Sequence, residues 1–322
     1  MTRKFLFTSL LCVVLGAGSL AHAQEYPSKP VKLVVPFTAG GGVDALGRAL
    51  GEKLASKLGQ PVIVDNRPGA SGNIAAEYAY RAAPDGYTLF LAGEGPLAVN
   101  KMLTAHLNFD PDKFEPVSLL TQTPMMIVVN PKVPVRTLQE LIAYGKANPG
   151  KLSFSSAGQG GPSHLAAELF QAATGARFLH VPYKGIAPAF NDVLAGHVDM
   201  MFGFEASVGP YMHQDDKVRV LAVTGTKRHP ALPDVPTVSE ILPGFSAVSW
   251  TALVAPPGTP ASVIQKLSAA TIEAMHTPEI VSRMREQGYD VVGTDIAGAR
   301  AYIRQATERS QQAVRTAGIT PE

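Results

Sequence analysis

Cysteine is almost missing from this chain. The single Cys12 among 322 residues lies in a segment that reads as removable, so disulfides, iron–sulfur clusters and thiol catalysis drop out for the rest. Tryptophan also occurs once, aromatic residues make up 7 %, and 28 Lys and Arg face 26 Asp and Glu. With no basic excess and few aromatics to stack on bases, nothing supports nucleic-acid binding. Long apolar runs are scarce too. Phe5–Leu20 is the one such stretch, and it falls short of the roughly 20 residues that a membrane span needs.

That stretch follows Arg3 and Lys4 and ends in Ala21-His22-Ala23, a small-x-small pattern. It reads as a secretory signal peptide cleaved after Ala23. The residues before Cys12, Ser9-Leu10-Leu11, lack the small neighbour of a lipid-modified cysteine. The expected product is an exported, soluble protein with 26 basic and 26 acidic residues. About 300 residues can bury a large core, and chains of that size usually divide into two domains.

Strand and helix patterns alternate along the chain. Val31–Pro36 is apolar and β-branched, and Asp44–Leu58 carries Leu46, Leu50, Leu54 and Leu58 at helical spacing. A strand is expected at Val62–Val64, a helix at Asn73–Ala83 and a strand at Thr88–Ala92. A second series contains strands at Met125–Val129, Leu152–Ser155, Phe178–Val181, Val198–Phe202 and Val218–Val223. Its helices are Leu138–Ala147, with Thr137 and Glu140 as a capping box, Ser163–Thr174 with Ser163 as N-cap, and Ala187–Leu194. Ser249–Val254 and the helix Ala261–Met275 follow a proline-rich connection. This rhythm predicts an α/β protein of parallel βαβ units with mixed sheets in two domains. The expected division is a signal peptide over 1–23, a first domain over 24–122 and 246–322, and a second over 123–245. Two crossing segments, near Leu120–Pro124 and Phe245–Trp250, would form the hinge.

Two glycine loops open helices after strands. Gly40-x-Gly42-x-x-Ala45, with Asp65 twenty residues later, fits a dinucleotide fingerprint. Export argues against that reading, because free NAD is scarce outside the cytoplasm, and Pro36-Phe37 lengthens the turn. The glycines could also serve the turn alone. What remains is an anion-ready helix start, which suits a carboxylate as well as a phosphate. Ser155-Ser156-Ala157-Gly158-Gln159-Gly160-Gly161-Pro162-Ser163-His164 repeats the design in the second unit, so a ligand clamped between domains is expected.

Enzyme patterns fit poorly. Gly69-Ala70-Ser71-Gly72-Asn73 misses the last glycine of a nucleophile elbow. His106, His164, His180, His197, His213 and His229 show no metal-ligand spacing. No catalytic residue, metal or cofactor is therefore expected, although an exported α/β hydrolase acting on a small carboxylate stays open as the alternative. Asp44 reads either as a cleft acid or as a first-turn charge favoured by the helix dipole. Asp199 reads as a cleft acid, and His164 as either a ligand contact or a helix-surface residue.

The chain resembles the Bug, or tripartite tricarboxylate transporter receptor, family. The carriers are Tyr26-Pro-x-Lys-Pro30, Val35-Pro36-Phe37-x-Ala39-Gly40-Gly41 and Val64-x-Asn66-Arg67-Pro68-Gly69-Ala70-x-Gly72. Pro84-Asp85-Gly86-Tyr87-Thr88-Leu89, Val181-Pro182-Tyr183-Lys184-Gly185 and Leu232-Pro233-Asp234-Val235-Pro236-Thr237 continue the series. The resemblance implies a periplasmic-binding-protein (Venus-flytrap, type II-like) fold, located in the periplasm, that closes as a monomer on a small organic acid or amino-acid-like ligand. The implied partners are membrane transporter subunits or a sensor. The loops implied to hold the carboxylate match Phe37–Asp44 and Ser155–His164. Candidate ligand contacts are then Phe37, Thr38, Ala39, Gly40, Gly41, Asp44, Glu94, Ser155, Ser156, Ala157, Gly158, Gly160, His164, Tyr183, Asp199 and Glu205. Glu94 and Glu205 depart from the small or hydroxyl residues usual in the family. A buried, unpaired carboxylate is costly, so either glutamate would repel a second ligand carboxylate and favour an amine or other donor. Both could equally be solvated rim residues.

Overall fold

In the computed structural model, residues 26–316 and 318 are described. The expected signal peptide, with Cys12 and the cleavage after Ala23, lies outside the described residues. The chain opens with β1 (Val31–Val35), α1 (Gly42–Leu58), β2 (Val62–Asn66), α2 (Asn73–Tyr80) and β3 (Thr88–Gly93). A π-helical turn over Gly95–Val99 leads into α3 (Asn100–Leu103), and β4 (Glu115–Thr123) follows. The second series is β5 (Met125–Val129), α4 (Leu138–Ala147), β6 (Ser153–Ser156), α5 (Pro162–Thr174), β7 (Leu179–Pro182), α6 (Ile186–Ala195), β8 (Met200–Phe204), α7 (Glu205–Val208) and β9 (Arg219–Val223). The chain then forms β10 (Ser249–Ala255), α8 (Ala261–Met275), α9 (Pro278–Arg285), β11 (Asp290–Val291) and α10 (Ile296–Thr316).

Two mixed sheets result, with strand orders β11-β4-β10-β3-β1-β2 and β7-β6-β8-β5-β9. β1 pairs in parallel with β2 and β3, whereas β10 runs antiparallel between β3 and β4. In the second sheet β6 is parallel to β7 and β8, and β5 is antiparallel to β8 and β9. Only Pro124 separates β4 of the first sheet from β5 of the second. The chain rejoins the first sheet at Ser249. The molecule is a two-domain α/β protein.

Burial explains the elements. β1 is almost wholly buried, as expected for a strand covered by helices on both faces. α1 buries Leu46, Leu50, Leu54 and Leu58 on one stripe against Leu33 and Leu91, each leucine contributing about 1.5–3 kcal/mol. It stops at Gly59, whose φ of +67° is a left-handed cap. α10 packs its small face, Ala299, Ala306 and Ala313, into the opposite layer with Trp250 and Leu165. No helix among the described residues is long and apolar enough to cross a membrane.

Two local expectations are corrected, and one strand, β4, was not anticipated. Ser163 does not cap α5. Gly161 is the cap and Pro162 takes the first helical position, where a missing N–H costs nothing. Thr137 caps α4 by accepting from the Glu140 N–H, but the Glu140 carboxylate accepts from Arg136 N, one residue short of a full capping box. β4 was hidden by Pro116 and by polar positions. Ser118 donates to the Thr294 carbonyl and Thr121 pairs with Thr251 across the sheet at 2.5 Å, so these hydroxyls are buried and satisfied.

Candidate functional site

A cavity of about 610 Å³ opens between the two sheets. It is bordered by chain just past the carboxyl ends of β1 (Phe37), β3 (Glu94), β6 (Ala157) and β8 (Glu205). That is the side on which open α/β sheets bind ligands. The π turn after β3 is the kind of irregular helix frequent at functional sites.

Each sheet contributes one glycine loop, and both are held alike. In the first, the Gly40 N–H donates to Asp44 Oδ2 at 2.9 Å. In the second, the Gly160 N–H donates to His164 Nδ1, also at 2.9 Å. A side chain in the first helical turn thus pins the loop four residues earlier. Asn66 adds a bond to the Phe37 carbonyl at 3.0 Å and one to Asp44 Oδ1 at 2.9 Å. Among the described residues, the N–H groups of Thr38 and Ala39 in one loop, and of Ala157 and Gln159 in the other, donate to no protein acceptor. These are the donors an anion would take.

The electrostatics follow from those contacts. Burial alone would raise the Asp44 pKa, but bonds from Arg48, the Gly40 N–H and Asn66 outweigh it and hold the carboxyl at about 2. His164 is pushed down to about 4, by burial first and by the neighbouring His180 second. Its ring stacks on that of His180 with centroids 3.8 Å apart and planes 8° from parallel. Phe154 continues the stack at 4.8 Å. Because Nδ1 accepts from Gly160, the neutral ring carries its proton on Nε2, facing Glu168 Oε1 at 3.7 Å.

The two cleft glutamates differ. Glu94 borders the cavity, accepts from Ser310 Oγ at 3.2 Å and has its pKa raised by burial to about 7, against the opposing pull of Ser310 and Arg309. Glu205 lies 3.1 Å from Nε2 of His229. Gly288, which comes from the far end of the chain, sits so close that a Cβ there would lie 2.9 Å from the Glu205 carboxylate.

Of the sequence candidates, Phe37, Glu94, Ala157, Gly158, Gly160 and Glu205 border the cavity. Thr38, Ala39, Gly40 and Gly41 stand exposed between Phe37 and Val43, which do border it. Six others are spoken for elsewhere and are absent from the cavity wall. Asp44 and His164 hold the loops. Ser155 donates to the Ala189 carbonyl, and Ser156 bridges His180 and the Gly158 carbonyl beneath the second loop. Tyr183 donates to Asp192 at 2.5 Å, which pushes its pKa up to about 12. The reading of Asp199 as a cleft acid is corrected most plainly. It precedes β8 at the opposite end from Glu205, and its carboxylate accepts from the Ser153 N–H and Oγ.

Other wall residues were not anticipated. Ser71 has a φ of +53° and Ala70 one of +45°, strain of the sort found at ligand sites. Asn100 from the first turn of α3 clamps this kink by donating to the Ser71 carbonyl at 3.0 Å. Trp250 and Tyr289 arrive from the returning chain. The Trp250 indole N–H is buried with no protein acceptor among the described residues. Leu103 approaches so closely that a Cβ on Gly160, whose φ is +71°, would lie 2.1 Å from its Cδ1. No group of three metal-ligating side chains occurs among the described residues.

The family model described as tripartite tricarboxylate transporter family receptor matches residues 46–319. The protein BugT of Bordetella pertussis is 35 % identical over 99 % of this chain and 98 % of its own. A solved structure of an R. palustris protein with adipate is 33 % identical, with a TM-score of 0.74, covering 92 % of this chain and 100 % of that one. MatC of Rhodopseudomonas palustris, solved with bound malate, is 32 % identical, with a TM-score of 0.70, covering 90 % and 100 %.

Proposed function

The chain belongs to the tripartite tricarboxylate transporter receptor family, and we propose that it captures one small carboxylate between its two domains in the periplasm. It is a receptor and not an enzyme, which disposes of the hydrolase alternative. The observation that carries the proposal is the pair of matched glycine loops facing one cavity. Each is pinned by a side chain four residues later and each keeps free N–H donors. Backbone donors ahead of a helix suit a carboxylate because they supply positive potential without a mobile cation. The relatives solved with adipate and malate are in keeping with this reading.

The two bodies that close are 24–122 with 246–322, and 123–245. They swing about Pro124 and the 245–250 return. Closure excludes water, strengthens the loop–carboxylate bonds and joins two surfaces for a membrane transporter subunit or sensor to read. The ligand is a small organic acid or amino-acid-like molecule, held without cofactor or metal.

The test is calorimetric titration of a panel of small acids, each paired with its primary amide. The reading expects saturable one-to-one binding of at least one acid, a loss of at least about tenfold on amidation, and recovery of the acid unchanged. Binding indifferent to amidation, or turnover of the acid, contradicts it.

A further inference from the structure

We propose that Glu94 selects, among the carboxylates this cavity admits, those whose far end carries an amine, so that the ligand is a chain or ring bearing one carboxylate and one ammonium rather than a dicarboxylate. The inference rests on the carboxylate reading of the glycine loops and assigns the opposite end of the same ligand.

The wall of the cavity is largely apolar, with Val99, Leu103, Leu165, Ile186, Phe204 and Trp250 among its residues. Two acidic residues border it, Glu94 and Glu205. Glu205 has Nε2 of His229 3.1 Å away, an ion pair when that ring is protonated. Glu94 has no such neighbour among the described residues. Its one hydrogen bond among the described residues is from the Ser310 hydroxyl, and no cation lies within ion-pair distance of it among them. Arg309 and Tyr302 on α10 are the charged and titratable neighbours that bear on it, Arg309 favouring its ionised form. An ionised carboxylate offers about four acceptor positions, and leaving most of them empty against apolar walls is costly. A ligand ammonium fills them and supplies the missing charge. A second ligand carboxylate meets repulsion instead, or binds only after Glu94 takes up a proton.

A matched series of equal chain length reads this directly: 6-aminohexanoate, adipate and hexanoate, with hexylamine as the acid-free member, titrated calorimetrically near pH 8 against the wild type and Glu94→Gln. The wild type is expected to bind 6-aminohexanoate at least about tenfold tighter than adipate or hexanoate. The preference is expected to fall to within about threefold in Glu94→Gln. In the wild type alone it also shrinks near pH 5.5, where Glu94 is protonated, so the test survives a variant that folds poorly. Equal affinity for adipate and 6-aminohexanoate in the wild type, or a ratio that Glu94→Gln leaves untouched, overturns the role of Glu94. If hexanoate still binds, that failure leaves the carboxylate reading standing. Hexylamine binding as tightly as 6-aminohexanoate overturns the carboxylate reading itself; failure of all three acids to bind overturns the role of Glu94, and failure of every acid in the wider panel overturns both.

Discussion

The backbone N–H of Gly160 donates to Nδ1 of His164 across 2.9 Å. This bond exists only while Nδ1 is unprotonated, and the His180 ring stacked at 3.8 Å adds to the cost of charging it. His164 therefore acts as the pin of the second loop rather than as a ligand contact.

A pH dependence follows. In the unfolded chain His164 takes up a proton near pH 6.5, whereas in the folded protein it does so near pH 4. Between those values the unfolded state binds more protons, so stability is full above about pH 6.5 and falls as the pH drops through the window. The loss is on the order of 3 kcal/mol. His164→Asn keeps an acceptor for Gly160, much as Asp44 does for Gly40, but cannot titrate. Thermal melts from neutral to about pH 4.5 should show a shallower decline in this variant than in the wild type; parallel declines would refute the assignment.

Asp44 pins the first loop from a buried position and accepts from Gly40, Arg48 and Asn66. Asp44→Ala leaves those donors unanswered and is expected to cost about 3 kcal/mol and to weaken carboxylate binding about tenfold, although the side chain is absent from the cavity wall. Because its folded pKa is depressed to about 2, the contribution is complete above the ordinary carboxyl range and is lost as the pH falls toward 2. Denaturant melts at neutral pH, paired with calorimetry, check both effects. A variant as stable as the wild type would count against the pin.

Gly160 meets Leu103 where the two domains approach. Gly160→Ala introduces a Cβ at a φ of +71° and into the Leu103 side chain. The backbone term alone is about 1 kcal/mol. Affinity is expected to fall about tenfold because the loop and Leu103 can no longer close to the same separation. Unchanged affinity in a titration would show that this approach is not part of the bound state.

Glu94 costs the ligand-free protein stability at high pH. Its folded pKa of about 7 lies above the usual carboxyl value. The protonated form favours folding fully below about pH 4.5, and that benefit is lost as the pH rises through 7. Glu94→Gln should therefore melt higher than the wild type near pH 8 and show little difference near pH 5. A lower melting temperature at pH 8 would contradict the assignment.

Both glycine loops were legible in the sequence because glycine runs follow strongly β-branched strands and precede leucine-spaced helices. The two-domain α/β architecture was legible from the alternation of those patterns. The duties of Asp44 and His164 were not, since a first-turn side chain can face the cleft or fold back on its own loop, and only packing decides which. Asp199 was misjudged because β8 begins at Met200, later than its apolar run suggests, which leaves the acid at the strand's entry. Ser71, Trp250 and Tyr289 reach the cavity through a positive-φ kink and the return of the chain, and neither leaves a periodic trace.

The central claim is that one carboxylate is held by both glycine loops at once. A crystal structure of the complex with the tightest acid in the panel tests it most directly. The account predicts carboxylate oxygens within hydrogen-bonding distance of N–H groups from both Phe37–Gly41 and Ala157–Gly161. A carboxylate engaged by one loop only, or seated outside the cavity, would contradict it.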